Sequence, residues 1–443
     1  MDAHQVGGLN SVVVVGAGLA GIAAAVELAD AGYPVMLLEQ SSRLGGRAGS
    51  VRLADGTSQP VGSHLFLRCN TEYIRLLERL GTKSQVHLQK KLALVVLHMG
   101  KTGRFYATSL PDLLSFAPAF IKYPFLSLHD KHLVARALWM IRHGEPVMPD
   151  ETFAQWLQRH KQSLAARRFI WELISAPTLN SPAEEASAAL AMVIFRTAFF
   201  ECDHGAALGF PGRDLSRLYA TLPQYLKARG GEIRMNCRVQ QVVFNAQERC
   251  FSILTKNGLI AAKAVVLAVP YTTLPRVGNA TIAEDGALRT VQKLPAKSIV
   301  DVFLTYDKAL TKHSVLAIPG LPALWVFPET KSDGAQELAV SISCPGELAA
   351  YPAAQIIRWT ESHLQKAFGQ PLPDLINARV IKHQAATFST HPMAQTWRPT
   401  NTTSVPGLFL AGDYTATGLP ATMEGAVRSG IDAAAAVIRY CRA

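Results

Sequence analysis

The run Val12-Val13-Val14-Val15-Gly16-Ala17-Gly18-Leu19-Ala20-Gly21 constrains this chain more than any other stretch. Four consecutive valines suit a strand buried on both faces, and the alanine-rich residues after Gly21, closed by Gly32, suit a helix. Between them lies Gly-x-Gly-x-x-Gly. In such a strand–turn–helix the first glycine makes the tight bend, the second lets the backbone approach a pyrophosphate, and the third lets the helix lie close on the strand. The helix then offers unpaired N–H groups and the positive end of its dipole to the phosphates. Ala17, Leu19 and Ala20 complete the loop, so residues 16–21 are read together as cofactor-binding. Small residues also occur wherever a helix packs tightly on a sheet, and that bland reading stands beside the nucleotide one.

The next residues separate the two. "PVMLLE" supplies a second strand that ends at Glu39, 18 residues after Gly21, close to the ~20-residue spacing of the acid that binds ribose hydroxyls. Gln40 stands beside it. NAD and FAD both satisfy this much. Arg43-Leu44-Gly45-Gly46-Arg47 then adds a glycine-rich basic turn, which a longer dinucleotide can use for its pyrophosphate and flavin side; FAD is therefore favoured. With only one such fingerprint, no separate NAD(P)H site is read, and the electron donor is unidentified.

The C-terminal run "GLFLAGDYTATGLPATMEGAVRSG" gives a second signature. Leu408 to Ala411 read as a buried strand, Gly412 and Asp413 as a turn, and Thr422 onward as a long helix. An acid at the strand end can bind ribityl hydroxyls, and a helix start near Ala421 can face the flavin and stabilise negative charge on its reduced form. One more strand and helix of an α/β sheet would look the same.

The expected fold is α/β: a Rossmann-like FAD-binding domain built from residues 1–64, 211–270 and 396–443, with an α+β substrate domain from residues 65–210 and 271–395. In the latter, "SIVDVFLTY", "ALWVFP" and "LAVSISC" are strand-like and suggest a sheet. A composition of 49% hydrophobic and 17% charged residues fits a globular protein with a large core. The net charge of +11 permits an anionic partner, but no basic run with interleaved aromatics or zinc-type Cys/His spacing points to nucleic acid. Six scattered cysteines without a CxxC read as reduced and structural. Arg43 is the first basic residue, so a signal peptide's basic start is missing, and no apolar stretch of about 20 residues suits a membrane span. The expected location is cytoplasmic, on the inner face of a membrane. Within residues 112–142, Leu133, Val134, Ala137, Leu138 and Ile141 share one helical face with Lys131, Arg136 and Arg142 off it, which suits a helix lying on a membrane and equally one packed on a core.

Taken together, residues 16–21, Glu39, residues 43–47, Ala411-Gly412-Asp413 and residues 418–426 resemble the flavin amine oxidase and phytoene desaturase superfamily. "NSPAEEASAAL", "YLKARGGEIR", "ATFSTHP" and the C-terminal run resemble its squalene-associated branch, the hydroxysqualene dehydroxylases, and the similarity covers essentially the whole chain. The resemblance implies that Gly16, Gly18 and Gly21 hold the pyrophosphate, Glu39 the adenosine ribose, and Arg47 the far side of the phosphates. It further implies that Val239 contacts the adenine through its backbone, that Asp413 binds the ribityl or pyrophosphate region, and that Pro420, Ala421, Thr422 and Met423 line the isoalloxazine of a non-covalent FAD. Gly62 and Ser63 join the cofactor-binding residues and His64 is the catalytic candidate, although a hydrogen-bonded structural histidine is the plainer reading. The branch commonly carries an acid just before this Gly-x-His, where the present chain has Pro60. Glu201, Asp203 and His204 could supply one, or be ordinary loop charges.

The implied reaction is reduction of hydroxysqualene, an isoprenoid lipid, to squalene: the allylic hydroxyl is protonated and lost, and reduced FAD supplies hydride. A carotenoid desaturase would use the same fold oxidatively. An amine oxidase would show an aromatic cage at the flavin, for which Tyr414 is only part, and a non-catalytic isoprenoid binder would be colourless. The sequence says nothing of oligomeric state.

Overall fold

A computed structural model describes residues 12–52, 56, 58–110, 112–212, 214–278 and 284–442, so residues 1–11 of the expected first segment lie outside the described residues. A five-stranded parallel sheet has the order Glu232–Arg234, Val35–Leu38, Val12–Val15, Ala264–Leu267, Leu408–Leu410. Its three central strands are buried at every position, which is why they read as unbroken apolar runs rather than alternating ones. One face is covered by the first helix, Leu19–Asp30, and the last, Met423–Arg442. These two helices cross at Gly430, where an added Cβ would sit 2.2 Å from the Ala20 carbonyl oxygen. The other face is covered by an antiparallel layer of Val239–Asn245, Cys250–Thr255 and Gly258–Ala262. From Val12–Val15 the chain passes first to Val35–Leu38 on one side, and the Ala264–Leu267 strand later pairs on the other. This split opens a crevice at the carboxyl end of the first strand, where parallel α/β sheets bind ligands.

A second, seven-stranded sheet runs Leu375–Phe388, Ala296–Tyr306, Gln336–Ser343, Ala323–Thr330, Leu316–Ile318, Ala93–His98, Lys101–Tyr106. The apolar runs noted in the sequence form its middle. Strand alternation turns Val300, Val302 and Leu304 toward the helix Ala353–Phe368, and Asp301 and Phe303 toward the opposite face. Helices Leu128–Arg142, Phe153–Arg159 and Ala188–Phe199 share a core with Val96, Ala317 and Trp325 of this sheet. At its far end, the Leu375–Phe388 strand carries Phe388 into the core beneath the parallel sheet, so this strand joins the two halves.

The helix Leu128–Arg142 decides between the two readings of its apolar face. Leu133, Val134, Ala137 and Ile141 are buried against the helical core and Leu138 packs on it, so this face is not the one available to a membrane. Apolar periodicity finds a helix's buried face without saying what covers it. Its start, by contrast, is fully local: Ser127 and Asp130 form a reciprocal capping box. Among the described residues no helix is long and apolar enough to cross a membrane.

Candidate active site

Three glycines of the first turn serve different ends. Gly16 has φ +102°, and a Cβ there would lie 2.6 Å from the Ala268 carbonyl oxygen; at Gly21 a Cβ would lie 1.9 Å from the Gly16 carbonyl oxygen. Close packing explains both. Gly18 is different: a Cβ would meet no atom within 4 Å, and as the helix N-cap it contributes no side-chain hydrogen bond. Packing does not demand a glycine there, and the open backbone at an uncapped helix start is what a pyrophosphate would require. The basic turn folds onto this loop, with Gly45 donating its N–H to the Ala17 carbonyl at 2.8 Å and Gly46 approaching Gly18 closely. Gly45 and Gly46 have φ +90° and +57°, so the turn depends on their left-handed conformations.

Glu39 is buried at the end of the second strand. Its carboxylate accepts from the Ala17 N–H at 2.8 Å and from the backbone and hydroxyl of Ser41, both at 2.8 Å, which fixes it beside the phosphate loop with lone-pair capacity left for a ribose hydroxyl. Cys237 donates its N–H to the Glu39 carbonyl, and so brings the strand that begins at Val239 to the same place. Gln40 is exposed, and Arg43 turns inward to donate to the Gly46 carbonyl at 2.7 Å, so within the protein Arg43 shapes the turn.

Arg47 ties the site together. It donates to Asp413 at 2.6 Å and to the Ala386 carbonyl at 2.7 Å, linking the basic turn to the C-terminal loop and the long strand. Protein surrounds it, yet 47% of its side-chain surface touches open space, which marks it as lining an internal cavity. The Asp413 carboxylate holds the guanidinium's pKa above its ordinary value. Arg398, which the sequence reading missed, lies under the same loop: it donates to the carbonyls of Asp413 and Thr415 and stacks 4.6 Å from the Phe388 ring centre. Burial lowers its pKa to about 10, against the pull of Asp413. The last helix begins at Met423, with Thr422 accepting from the Gly425 N–H at 3.1 Å; Pro420 is buried, Ala421 packs near Tyr414, and Met423 packs on the core below.

His64 is enclosed beside this frame. Its Nδ1 lies 2.6 Å from the Gly62 carbonyl, which can only accept, so Nδ1 carries the proton and Nε2 offers a lone pair. Burial depresses its pKa; the Gly62 carbonyl and the nearby Asp301 oppose this, while His383 and Arg47 add to it. Asp301, another residue that the sequence reading missed, is 1% exposed, with Oδ2 3.1 Å from His383 Nε2. The strand register explains the pair: Asp301 lies opposite Ile381 and His383 opposite Ile299, so the two are diagonal neighbours on one face. A Cβ on Gly62 would be 3.2 Å from Asp301 Oδ2 and 3.5 Å from both His383 and His64. An acid therefore does stand beside His64, delivered by a distant strand rather than from the position of Pro60. A lone aspartate inside the apolar "SIVDVFLTY" was its sequence signal. Glu201 and Asp203 are exposed, Glu201 paired with Arg196, and belong to the surface.

Several buried polar atoms near these residues have no hydrogen-bond partner among the described residues: Ser63 Oγ, Asp301 Oδ1 and Tyr271 Oη. Burial, and then Asp413, push the Tyr271 phenol up to about 12. Such orphans, together with the open space at Gly18, fit a polar cofactor and substrate in this cavity.

A profile of flavin containing amine oxidoreductases matches residues 19–438. The chain belongs to this family. It is 27% identical over 436 residues to a hydroxysqualene dehydroxylase of Zymomonas mobilis, covering 95% of this chain and 97% of that one. It is 25% identical over 457 residues to a 15-cis-phytoene desaturase of an Oncidium hybrid, covering 97% and 78%. An oxidoreductase from Methanosarcina mazei superposes with a TM-score of 0.75 at 17% identity, covering 97% of this chain and all (100%) of that one, and a putrescine oxidase with 0.72 at 18%, covering 97% and 99%; these likenesses establish the fold. Membership makes the protein an FAD-dependent oxidoreductase of the amine oxidase and desaturase superfamily, with the α/β fold that its sequence implies.

Proposed function

We propose that the protein reduces hydroxysqualene to squalene, removing the allylic hydroxyl as water. The observation that carries this reading is the enclosed group of Asp301, His383 and His64 beside the flavin-holding turn: loss of a hydroxyl needs a proton delivered to oxygen in a water-poor site. The end-to-end likeness to the Zymomonas mobilis protein supports it. Tyr414 gives no support to an amine oxidase, because its ring lies against Gly412 and 5.8 Å from Tyr271 in a packed core.

In this reading Gly18, Glu39, Arg47 and Asp413 hold FAD, which when reduced supplies a hydride equivalent. The residues around His64 orient the hydroxyl and keep water out. Residues 1–64, 211–270 and 396–443 serve the cofactor, and residues 65–210 and 271–395 the lipid. The substrate enters from a membrane, at a surface where Leu114, Ile121, Leu128 and Trp139 are exposed among Lys122, Arg136 and Arg142. Exposed apolar side chains ringed by basic ones suit an anionic lipid surface, which supports a peripheral position on the inner face of the membrane.

The phytoene desaturase relatives favour a second reading, oxidation of a linear carotenoid precursor. Anaerobic mixing decides between them. Chemically reduced enzyme should be reoxidised by hydroxysqualene with squalene formed; oxidised enzyme reduced by phytoene, with hydroxysqualene left unconsumed, would establish the desaturase instead.

A further inference from the structure

We propose that Asp301 and His383 form the acid of the reaction, jointly holding the one proton that leaves with the substrate's hydroxyl, while His64 positions that hydroxyl. The assignment rests on the dehydroxylase reading and goes beyond it by naming the groups. Three observations converge. Asp301 is a carboxylate at 1% exposure inside a strand whose neighbours are apolar, where a charge is costly unless it has work or a partner. Its Oδ2 meets His383 Nε2 at 3.1 Å while Oδ1 has no partner, so one side of the carboxyl is engaged and the other is available. The pair also lies against Gly62 and His64, and three residues along the same strand Arg47 holds the Ala386 carbonyl. The acid and the flavin-holding turn thus share one strand.

The other titratable or charged groups around the pair are few. His64 comes from the loop after Pro60, Arg47 from the basic turn with Asp413 tied to it, and Arg379 lies further along the same sheet face over the Phe303 ring. His64 has its Nδ1 proton committed to the Gly62 carbonyl, so its Nε2 lone pair accepts from the substrate hydroxyl and turns the oxygen toward the acid. The pair's proton then passes to that oxygen. The carbon–oxygen bond breaks with its electrons leaving on water, and the carbon takes hydride from reduced FAD, which becomes oxidised. The pair regains its proton from solvent. Arg47 is held by Asp413 and does not neutralise Asp301 directly, which leaves the proton as the pair's neutralising charge.

The test uses full-length, FAD-loaded protein and two variants, Asp301→Asn and His383→Gln, with FAD content and thermal midpoint confirming that each is folded. Anaerobic stopped-flow follows return of oxidised-flavin absorbance after dithionite-reduced enzyme meets hydroxysqualene in micelles, from pH 5.5 to 9. In the wild type the rate falls as pH rises. Each variant loses about 10²–10⁴-fold and the pH dependence changes form. Asp203→Asn, at an exposed loop position, reacts like the wild type. Independently of turnover, ¹⁵N ring shifts of His383 in the oxidised protein, identified by their loss in His383→Gln, move in Asp301→Asn because the 3.1 Å contact is altered. Variants that keep the wild-type rate and pH profile, or His383 ring shifts unmoved by Asp301→Asn, overturn the acid assignment alone. A wild type that leaves hydroxysqualene untouched overturns the dehydroxylase reading, and the acid assignment with it.

Discussion

Gly18→Ala separates a nucleotide loop from a merely well-packed turn. The new methyl meets no protein atom within 4 Å, and the backbone there, φ −74° and ψ 176°, is one that alanine adopts without strain. Removing a glycine from the unfolded chain stabilises by about 0.4–1 kcal/mol, while alanine is a poorer N-cap than glycine by a similar amount. The two offset, so the FAD-free protein should unfold within about 1 kcal/mol of wild type. Cofactor binding is another matter. The methyl occupies the space through which the phosphates reach the helix N–H groups, and losing one such charge-assisted hydrogen bond, about 1.5–3 kcal/mol, weakens FAD roughly 10- to 150-fold. Gly21→Ala is the contrast: its methyl would lie 1.9 Å from a backbone oxygen, so overpacking of about 1–3 kcal/mol or more lowers stability as well. Denaturant melts of the FAD-free proteins and flavin-fluorescence titrations measure the two quantities. If Gly18→Ala binds FAD like the wild type, or destabilises the FAD-free chain as Gly21→Ala does, the open space beside Gly18 is not the pyrophosphate's.

Acid precipitation should release the flavin into the supernatant, since neither Cys nor His occurs in residues 415–427; a yellow pellet would contradict non-covalent binding. Leu128→Ser with Trp139→Ser should weaken sedimentation with anionic vesicles and leave the thermal midpoint nearly unchanged, because both side chains are exposed. Leu133→Ser should instead cost about 2–5 kcal/mol, and a small loss would return that face to the membrane. Because His64 is held below its ordinary pKa, the unfolded chain binds its proton first, so folding loses stability as pH falls below about 6.5. His64→Gln should make the decline between pH 7 and 5 shallower, by at most about 1.4 kcal/mol per pH unit; equally steep melts in both proteins would show that His64 is not buried neutral.

The cofactor frame was legible because its demands are local. A strand, a glycine turn and a helix start are neighbours in the chain, so Gly16, Gly18, Gly21 and Glu39 announce themselves by spacing. The C-terminal strand and the start of its helix were legible for the same reason, to within a residue of what is observed. Asp301 and His383 were not, since their pairing depends on an antiparallel register that joins residues 82 positions apart, which no short motif encodes. Arg398 was hidden likewise: only the folded loop shows that its guanidinium gathers the carbonyls of Asp413 and Thr415. The amphipathic helix showed the converse: its apolar face was legible, while the choice between membrane and core as its cover needed the folded neighbours.

The crossing of the first and last helices at Gly430 bears on how the molecule comes into being on the ribosome. The strand Val12–Val15 emerges long before the Leu408–Leu410 strand and the Met423–Arg442 helix that complete its sheet and cover its first helix. Until then the nascent chain carries an exposed apolar edge and an unpacked helix, the condition in which chaperones bind and aggregation begins. A message truncated before residue 408 therefore yields a chain in which the Val12–Val15 sheet and the helix Leu19–Asp30 never find their partners.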